Sequence, residues 1–315
     1  MSDERATQRT VKARDGRDLR VEITGDPSGS PVFLLHGTPG SRVGPKPRGG
    51  VLYRLGIQLI CYDRPGYGGS QRDMKRTVAA AAYDVQAIAD ALGLGRFAVV
   101  GRSGGGPHAL ASAACLPERV ARAAVLVGVA PANADDLDWY AGMTDANVRE
   151  YSTADADWHK LVERVRLQAA RVRRDPVSLV KSLQQQMTDP DLRVVDDIAI
   201  QRLLAETYAE ALRPGPYGWI DDIYALRSDW GFNLADIRQP VLLWHGADDN
   251  FSPVSHARWL AARIPNAKIR IETETAHFGA VEVLPEILTW LTAADATGPL
   301  PEQDLVSARS ARPGL

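Results

Sequence analysis

Gly101-Arg102-Ser103-Gly104-Gly105 sets a serine among small residues in the pattern G-x-S-x-G. An apolar run, FAVV, precedes it, and a helix-like run, GPHALASAACL, follows. A sharp strand-to-helix turn of this kind needs small neighbours and lifts the hydroxyl clear of the sheet edge. That arrangement suits nucleophilic attack on a carbonyl. A serine hydroxyl is a weak nucleophile alone, so the chemistry also requires a base. Six histidines are candidates. His36 should pack at a strand end, His108 inside the helix after Ser103, and His245 within a strand. His159 falls in a helical stretch and His256 on a helix surface. His277, in ETAHFGA, alone falls in a loop just after the last expected strand, and it is the expected base.

A third group must hold the imidazole in its useful tautomer. Asp248 and Asp249 follow the run VLLWHGA, and Asp135 and Asp136 follow an earlier strand. The order Ser, Asp, His favours the 248–249 pair. An acyl-transfer site also needs donors for an oxyanion. The N–H of Gly104 is one candidate and the N–H of Thr38, in His36-Gly37-Thr38-Pro39-Gly40, is the other. Pro39 has no N–H to offer. Since only the main chain of Thr38 would matter, Thr38→Ala is expected to be mild.

These residues must be held by a sheet. Residues 9–24 read as a hairpin about Asp15-Gly16. Short apolar runs at 31–36, 57–63, 97–101, 123–129 and 241–245 fit strands buried on both faces, and 269–273 fits another. Helices are expected at 77–92, with Thr77 as N-cap, and at 105–116, 254–264 and 285–291. Strands alternating with helices imply a mainly parallel sheet in an α/β fold. The alternation stops over 134–231, which reads as helices broken once at Arg213-Pro-Gly-Pro.

The ordered motifs HGTPGS, DRPGYGGS, GRSGGGP, WHGADDNFSP and AHFG together resemble the α/β-hydrolase family, in its serine-nucleophile branch with a helical cap. The resemblance implies an eight-stranded, mainly parallel sheet flanked by helices. It also implies a discontinuous core over 1–133 and 232–298, a cap over 134–231 inserted after strand six, and a flexible tail over 299–315. In the family the acid stands three residues after the glycine ending its strand, with a proline four residues later. Gly246, Asp249 and Pro253 fit, so the implied triad is Ser103, Asp249 and His277. Aspartate-nucleophile relatives are excluded by Ser103. Proline iminopeptidases usually read HGGPG and GGSWG, which this chain does not.

The implied activity is hydrolysis of a small-molecule carboxylic ester or lactone. An aminopeptidase or amidase of proline iminopeptidase type stands as the alternative, as does a non-hydrolytic perhydrolase, cyclase or binding protein, and carbon–carbon bond hydrolysis is left open. Substrate choice falls to the cap. Arg102, Trp139, Tyr140 and Trp219 are the candidate pocket residues, while Arg42, Lys46 and Arg48 read as a solvated loop. No cofactor and no metal is expected. The net charge of -2 gives no pull toward nucleic acid or an anionic membrane. No run approaches the roughly 20 apolar residues of a membrane span. Cys61 and Cys115 read as buried free thiols in a cytoplasmic protein. A homodimer is left open.

Overall fold

The computed structural model describes residues 6–293; the expected tail at 299–315, and the last residues of the expected core, lie outside them. The sheet contains β1 (Thr7–Lys12), β2 (Asp18–Gly25), β3 (Ser30–Leu35), β4 (Ile57–Tyr62), β5 (Phe97–Arg102), β6 (Val120–Leu126), β7 (Val241–Gly246) and β8 (Ala267–Glu272). Their spatial order is β1-β2-β4-β3-β5-β6-β7-β8. β1 and β2 pair antiparallel, as do β2 and β4, and the remaining pairs are parallel.

Continuous apolar runs become strands here because both faces are covered. In β3, Phe33 and Leu35 enter one core while Val32 and Leu34 enter the other. β7 divides likewise, Val241 and Leu243 against Leu242 and Trp244. This is the two-residue alternation of a strand, with apolar residues demanded at every position. One core lies under α2 (Ala80–Ala91), α3 (Gly105–Cys115) and α10 (Val254–Ala261). The other lies under α1 (Gly49–Arg54), α11 (Gly279–Glu282) and α12 (Leu284–Thr292).

Several boundaries differ from the sequence expectation, those of β6 and α2 with a clear cause. β6 starts and ends three residues earlier than 123–129. Its early part carries Arg122, which looks too polar for a buried strand. The guanidinium nevertheless donates to the Trp290 carbonyl and lies against the Trp290 ring. Its late end stops because Val127 takes φ 48, and its N–H turns to the Trp244 carbonyl. Thr77 does not cap α2; the helix begins at Ala80 after a turn in which the Thr77 carbonyl accepts from Ala80.

Six helices stand between β6 and β7: α4 (Asp145–Ala156), α5 (Trp158–Arg174), α6 (Val177–Gln184), α7 (Asp189–Val195), α8 (Ile198–Ala211) and α9 (Tyr217–Arg227). α5 is amphipathic, burying Leu161, Val165, Ala169 and Val172, which recur at helical spacing on one face. These helices share a third apolar cluster with Tyr67, Phe251 and Phe278, which come from loops at strand ends. The insertion is therefore packed onto the C-terminal edge of the sheet. Among the described residues no helix is long and apolar enough to cross a membrane. Cys61 and Cys115 are free, Cys115 only half-buried.

Candidate active site

Four loops at the C-terminal ends of parallel strands supply the site, which is where open α/β sheets hold their ligands. Ser103 follows β5 and sits at φ 53, a conformation an L-residue adopts only under strain. Its N–H donates to the Leu126 carbonyl at 2.8 Å, and its own carbonyl accepts from Gly106 at 2.8 Å. The neighbours must be glycine. A Cβ on Gly101 would lie 2.1 Å from the Gly105 oxygen, and one on Gly105 would lie 2.2 Å from the Leu35 oxygen. A Cβ on Gly104 would meet Thr38 Oγ1 at 2.4 Å, so the loop after β3 lies directly against the serine turn. Among the described residues neither the Gly104 nor the Thr38 N–H donates to a protein acceptor.

His277 follows β8, and its Nδ1 lies 2.9 Å from Asp249 Oδ2. The other Asp249 oxygen accepts from the N–H groups of Phe251 (2.8 Å) and Ser252 (2.9 Å). Burial alone would raise the Asp249 pKa, but charged His277 and hydrogen bonds from His245 and His277 hold it well below the usual carboxylate range. Burial alone would lower the His277 pKa; the Asp249 charge and hydrogen bond, with Asp191 behind them, raise it instead. The Asp248 side chain is exposed. Asp135 and Asp136 are exposed too, and Asp135 pairs with Arg263 at 2.8 Å.

The other histidines are engaged elsewhere or exposed. Buried His36 accepts from the Arg64 N–H, and buried His108 bonds the Gly104 carbonyl at 2.8 Å. Burial pushes His108 down to about 3. His159 is exposed. His256 is not on a helix surface: it is fully buried, accepting from the Ala130 N–H and donating to the Trp139 carbonyl, both at 3.0 Å.

Ser103, Gly104, Thr38 and His277 line one cavity of about 160 Å³ between the sheet edge and the insertion. Room for one water takes about 10–15 Å³, so the cavity has space for a small molecule. Arg102, Trp219 and Tyr208 also line it. Trp139 and Tyr140 do not. Trp139 packs edge-on against Tyr140, Tyr151 and His256 with Arg227 over its ring, and the Tyr140 hydroxyl donates to Asp155. Arg42 is likewise no solvated residue: it is buried between Asp63 (2.5 Å) and Glu210 (2.6 Å). Lys46 pairs with Glu22 at 2.6 Å, and only Arg48 is exposed.

Three acidic residues of the insertion escaped sequence reasoning. Buried Asp222 accepts from Thr38 Oγ1 (2.6 Å), Tyr67 (2.9 Å), Arg64 (2.5 Å) and Arg76 (2.5 Å). Arg64 in turn donates to the carbonyls of His36 and Gly37, so an insertion helix pins the loop that carries Thr38. The Thr38 hydroxyl is thus not idle, and Thr38→Ala is no longer expected to be mild. Burial would raise the Asp222 pKa, yet Arg64 and Arg76 hold it well below normal. Asp222→Ala would leave two buried guanidinium groups uncompensated, so thermal and urea unfolding should show a loss of about 3–5 kcal/mol. This carboxylate's contribution is present above its unfolded pKa of about 3.9 and fades as pH falls toward the lower folded value. The gap between variant and wild type should therefore narrow below about pH 4.

Asp191, fully buried on α7, accepts the Phe278 N–H at 2.6 Å and so holds the His277 loop. Burial pushes its own carboxyl up to about 6. Its charge helps raise the His277 pKa. Asp191→Asn should therefore move the acid limb of the kcat/KM profile to lower pH; an unmoved or upward-shifted limb would contradict this coupling. Glu150, on α4, lines the cavity and accepts from Trp219 Nε1 at 3.3 Å, with burial pushing it up to about 7.

Sequence comparison matches residues 30–282 to the family described as alpha/beta hydrolase fold. A 2-hydroxy-6-oxononadienedioate/2-hydroxy-6-oxononatrienedioate hydrolase of Burkholderia vietnamiensis is 25% identical over 297 residues, spanning 89% of this chain and 92% of that protein. A 2-hydroxymuconate semialdehyde hydrolase of Pseudomonas putida is 27% identical over 270 residues, 84% of this chain and 86% of the other. Among solved structures, an esterase from a Rhodococcus species superposes with a TM-score of 0.64 at 20% identity, covering 91% of this chain and 98% of that one. At that identity the likeness is one of fold.

Proposed function

The chain belongs to the α/β-hydrolase family, and from that premise we propose that it is a serine hydrolase cleaving a carboxylic ester or lactone of a small molecule. One observation carries the reading: the His277–Asp249 pair reaches the same cavity as a serine held at a strained strand-to-helix turn. In the proposed mechanism Ser103 Oγ attacks the carbonyl carbon while His277 Nε2 takes its proton. Asp249 keeps the Nδ1–H tautomer and stabilises the imidazolium. The N–H groups of Gly104 and Thr38 receive the charge that develops on the carbonyl oxygen. His277 then protonates the leaving alkoxide, and a water deprotonated by the same imidazole releases the acyl group from Ser103. The insertion acts as a cap that excludes bulk water and shapes the pocket.

A second reading is supported by the names of the two sequence relatives, whose oxo-acid and semialdehyde substrates contain no ester. Hydrolysis beside a carbonyl in such a molecule breaks a carbon–carbon bond. The test is labelling with an activated fluorophosphonate, followed by a panel of esters, lactones, aminoacyl anilides and 6-oxo-dienoic acids. Labelling of wild type but not of Ser103→Ala is expected, with turnover greatest on esters or lactones. Equal labelling of both would remove Ser103 from the role. Dominant turnover of oxo-acids or anilides would transfer the reading to carbon–carbon or amide cleavage.

A further inference from the structure

Among the described residues, the cations packed around the Ser103 turn and the loop after β3 are matched to carboxylates with one exception, exposed Arg48 apart. Arg42 has Asp63 and Glu210, Lys46 has Glu22, and Arg64 and Arg76 share Asp222. Arg102 has no carboxylate within ion-pair distance among the described residues. Among the described residues its guanidinium makes one hydrogen bond, a long contact from Nη1 to the Pro45 carbonyl at 3.4 Å. It is the last residue of β5, adjacent to Ser103, and it lines the cavity beside Gly40, Thr207 and Tyr208. It is half-buried, and that burial works against its charge. A guanidinium nevertheless stays protonated, so the site holds a permanent positive charge that the protein does not balance.

Withdrawing a charge from water without a counter-charge costs free energy, and an anion with good hydrogen-bond geometry can repay it. We infer that Arg102 is a specificity residue that binds a carboxylate on the substrate's acyl portion, making short dicarboxylic acid monoesters the preferred substrate class. The inference rests on the proposed hydrolysis at Ser103. The guanidinium fork matches a planar carboxylate in two parallel hydrogen bonds. A Cβ on Gly44 would stand 3.6 Å from both Arg102 Nη2 and the Thr207 methyl, so the fork lies between the loop after β3 and the insertion. Glu150, the one acidic residue among the described residues lining the cavity, does not cancel this cation. It stands on the insertion beside Trp219, and the cation that acts on it is Arg164.

The experiment compares p-nitrophenyl monoglutarate with p-nitrophenyl pentanoate, in which a methyl group replaces the carboxylate. The readout is the ratio of their kcat/KM values in wild type, Arg102→Gln and Arg102→Lys. Wild type should favour the monoglutarate. The ratio should fall about 10- to 100-fold in Arg102→Gln and by less in Arg102→Lys, which keeps the charge but not the fork. A ratio unchanged within about twofold in Arg102→Gln would overturn the inference. Should the glutamine variant fail to fold, Arg102→Met, which keeps the length and removes the charge, carries the same comparison, and an unchanged ratio there would count equally against it. Fluorophosphonate labelling of all three proteins separates the two failures. Labelled, ester-hydrolysing protein with an unchanged ratio sinks only the role of Arg102. If wild type is neither labelled nor active on either ester, the serine-hydrolase reading fails. Calorimetric titration with glutarate then decides: binding lost in Arg102→Gln upholds the anion site, and equal or absent binding rejects it.

Discussion

Ser103→Ala should lower kcat/KM by about four to six orders of magnitude on whichever substrate wild type turns over best. The magnitude follows from what the side chain would do. Its oxygen forms the new bond to carbon; Arg102 and Gly104 flank it without a hydroxyl, and the Thr38 hydroxyl beside the turn is engaged by Asp222. His277→Gln should cost about as much, because the hydroxyl then keeps its proton. The double variant should lose little more than either single one, since nucleophile and base act as a unit. Additive losses, or more than about 1% residual activity in Ser103→Ala, would contradict the proposed roles. Wild-type kcat/KM should fall with acidity through a pKa above the ordinary histidine value, because His277 must be neutral to accept the proton and its environment raises its pKa. Ser103→Gly offers a separate check on the turn. The serine sits at φ 53, where glycine carries no steric penalty, so this inactive variant should unfold about 1 kcal/mol later than wild type.

The parts of the site that local grammar controls were legible in the sequence. The Ser103 turn needs glycines at fixed offsets because backbone oxygens of Gly105 and Leu35 approach within about 2 Å of where side chains would stand. His277 was recognisable by its place after the last strand, and the sheet by runs apolar on both faces. What stayed hidden depends on partners distant in sequence. Arg42 read as solvated because Asp63 and Glu210 come to it only in the fold. Trp139 and Tyr140 read as pocket rings because composition does not say which way a ring turns; they turn to Tyr151, His256 and Arg227. Asp191 and Asp222 carried no motif. A weak signal did exist for Asp222, which stands in WIDDIYAL, where paired acids interrupt an apolar helix and so need buried partners. Asp191 lies in a polar run and gave none. The loops at the strand ends thus announce the candidate site, while the contacts that steady them from the insertion are tertiary and silent in the chain.

Asp249→Asn should lower kcat by about four orders of magnitude, while Asp248→Asn stays within about threefold of wild type. The asymmetry between adjacent aspartates follows from their surroundings. Asp248 points to solvent. Asp249 is a buried acceptor on both oxygens, with Phe251 and Ser252 N–H groups on Oδ1 and His277 Nδ1 on Oδ2, where His245 Nε2 also approaches to 3.3 Å. An asparagine of the same shape must turn its NH2 group one way or the other. Turned to Phe251 and Ser252, it sets donor against donor. Turned to His277, it donates to Nδ1 and forces the proton onto Nε2, the atom that should accept from Ser103. The second orientation preserves the backbone hydrogen bonds and should prevail, so the variant stays folded and holds the wrong tautomer. Loss of the negative charge also removes the main influence raising the His277 pKa, so the acid limb of the residual activity should move to lower pH. Kinetics of both variants, with thermal unfolding alongside, check all three statements. An Asp248→Asn protein impaired as much as Asp249→Asn would mean that His277 takes its orientation from a different group than the one 2.9 Å from its Nδ1.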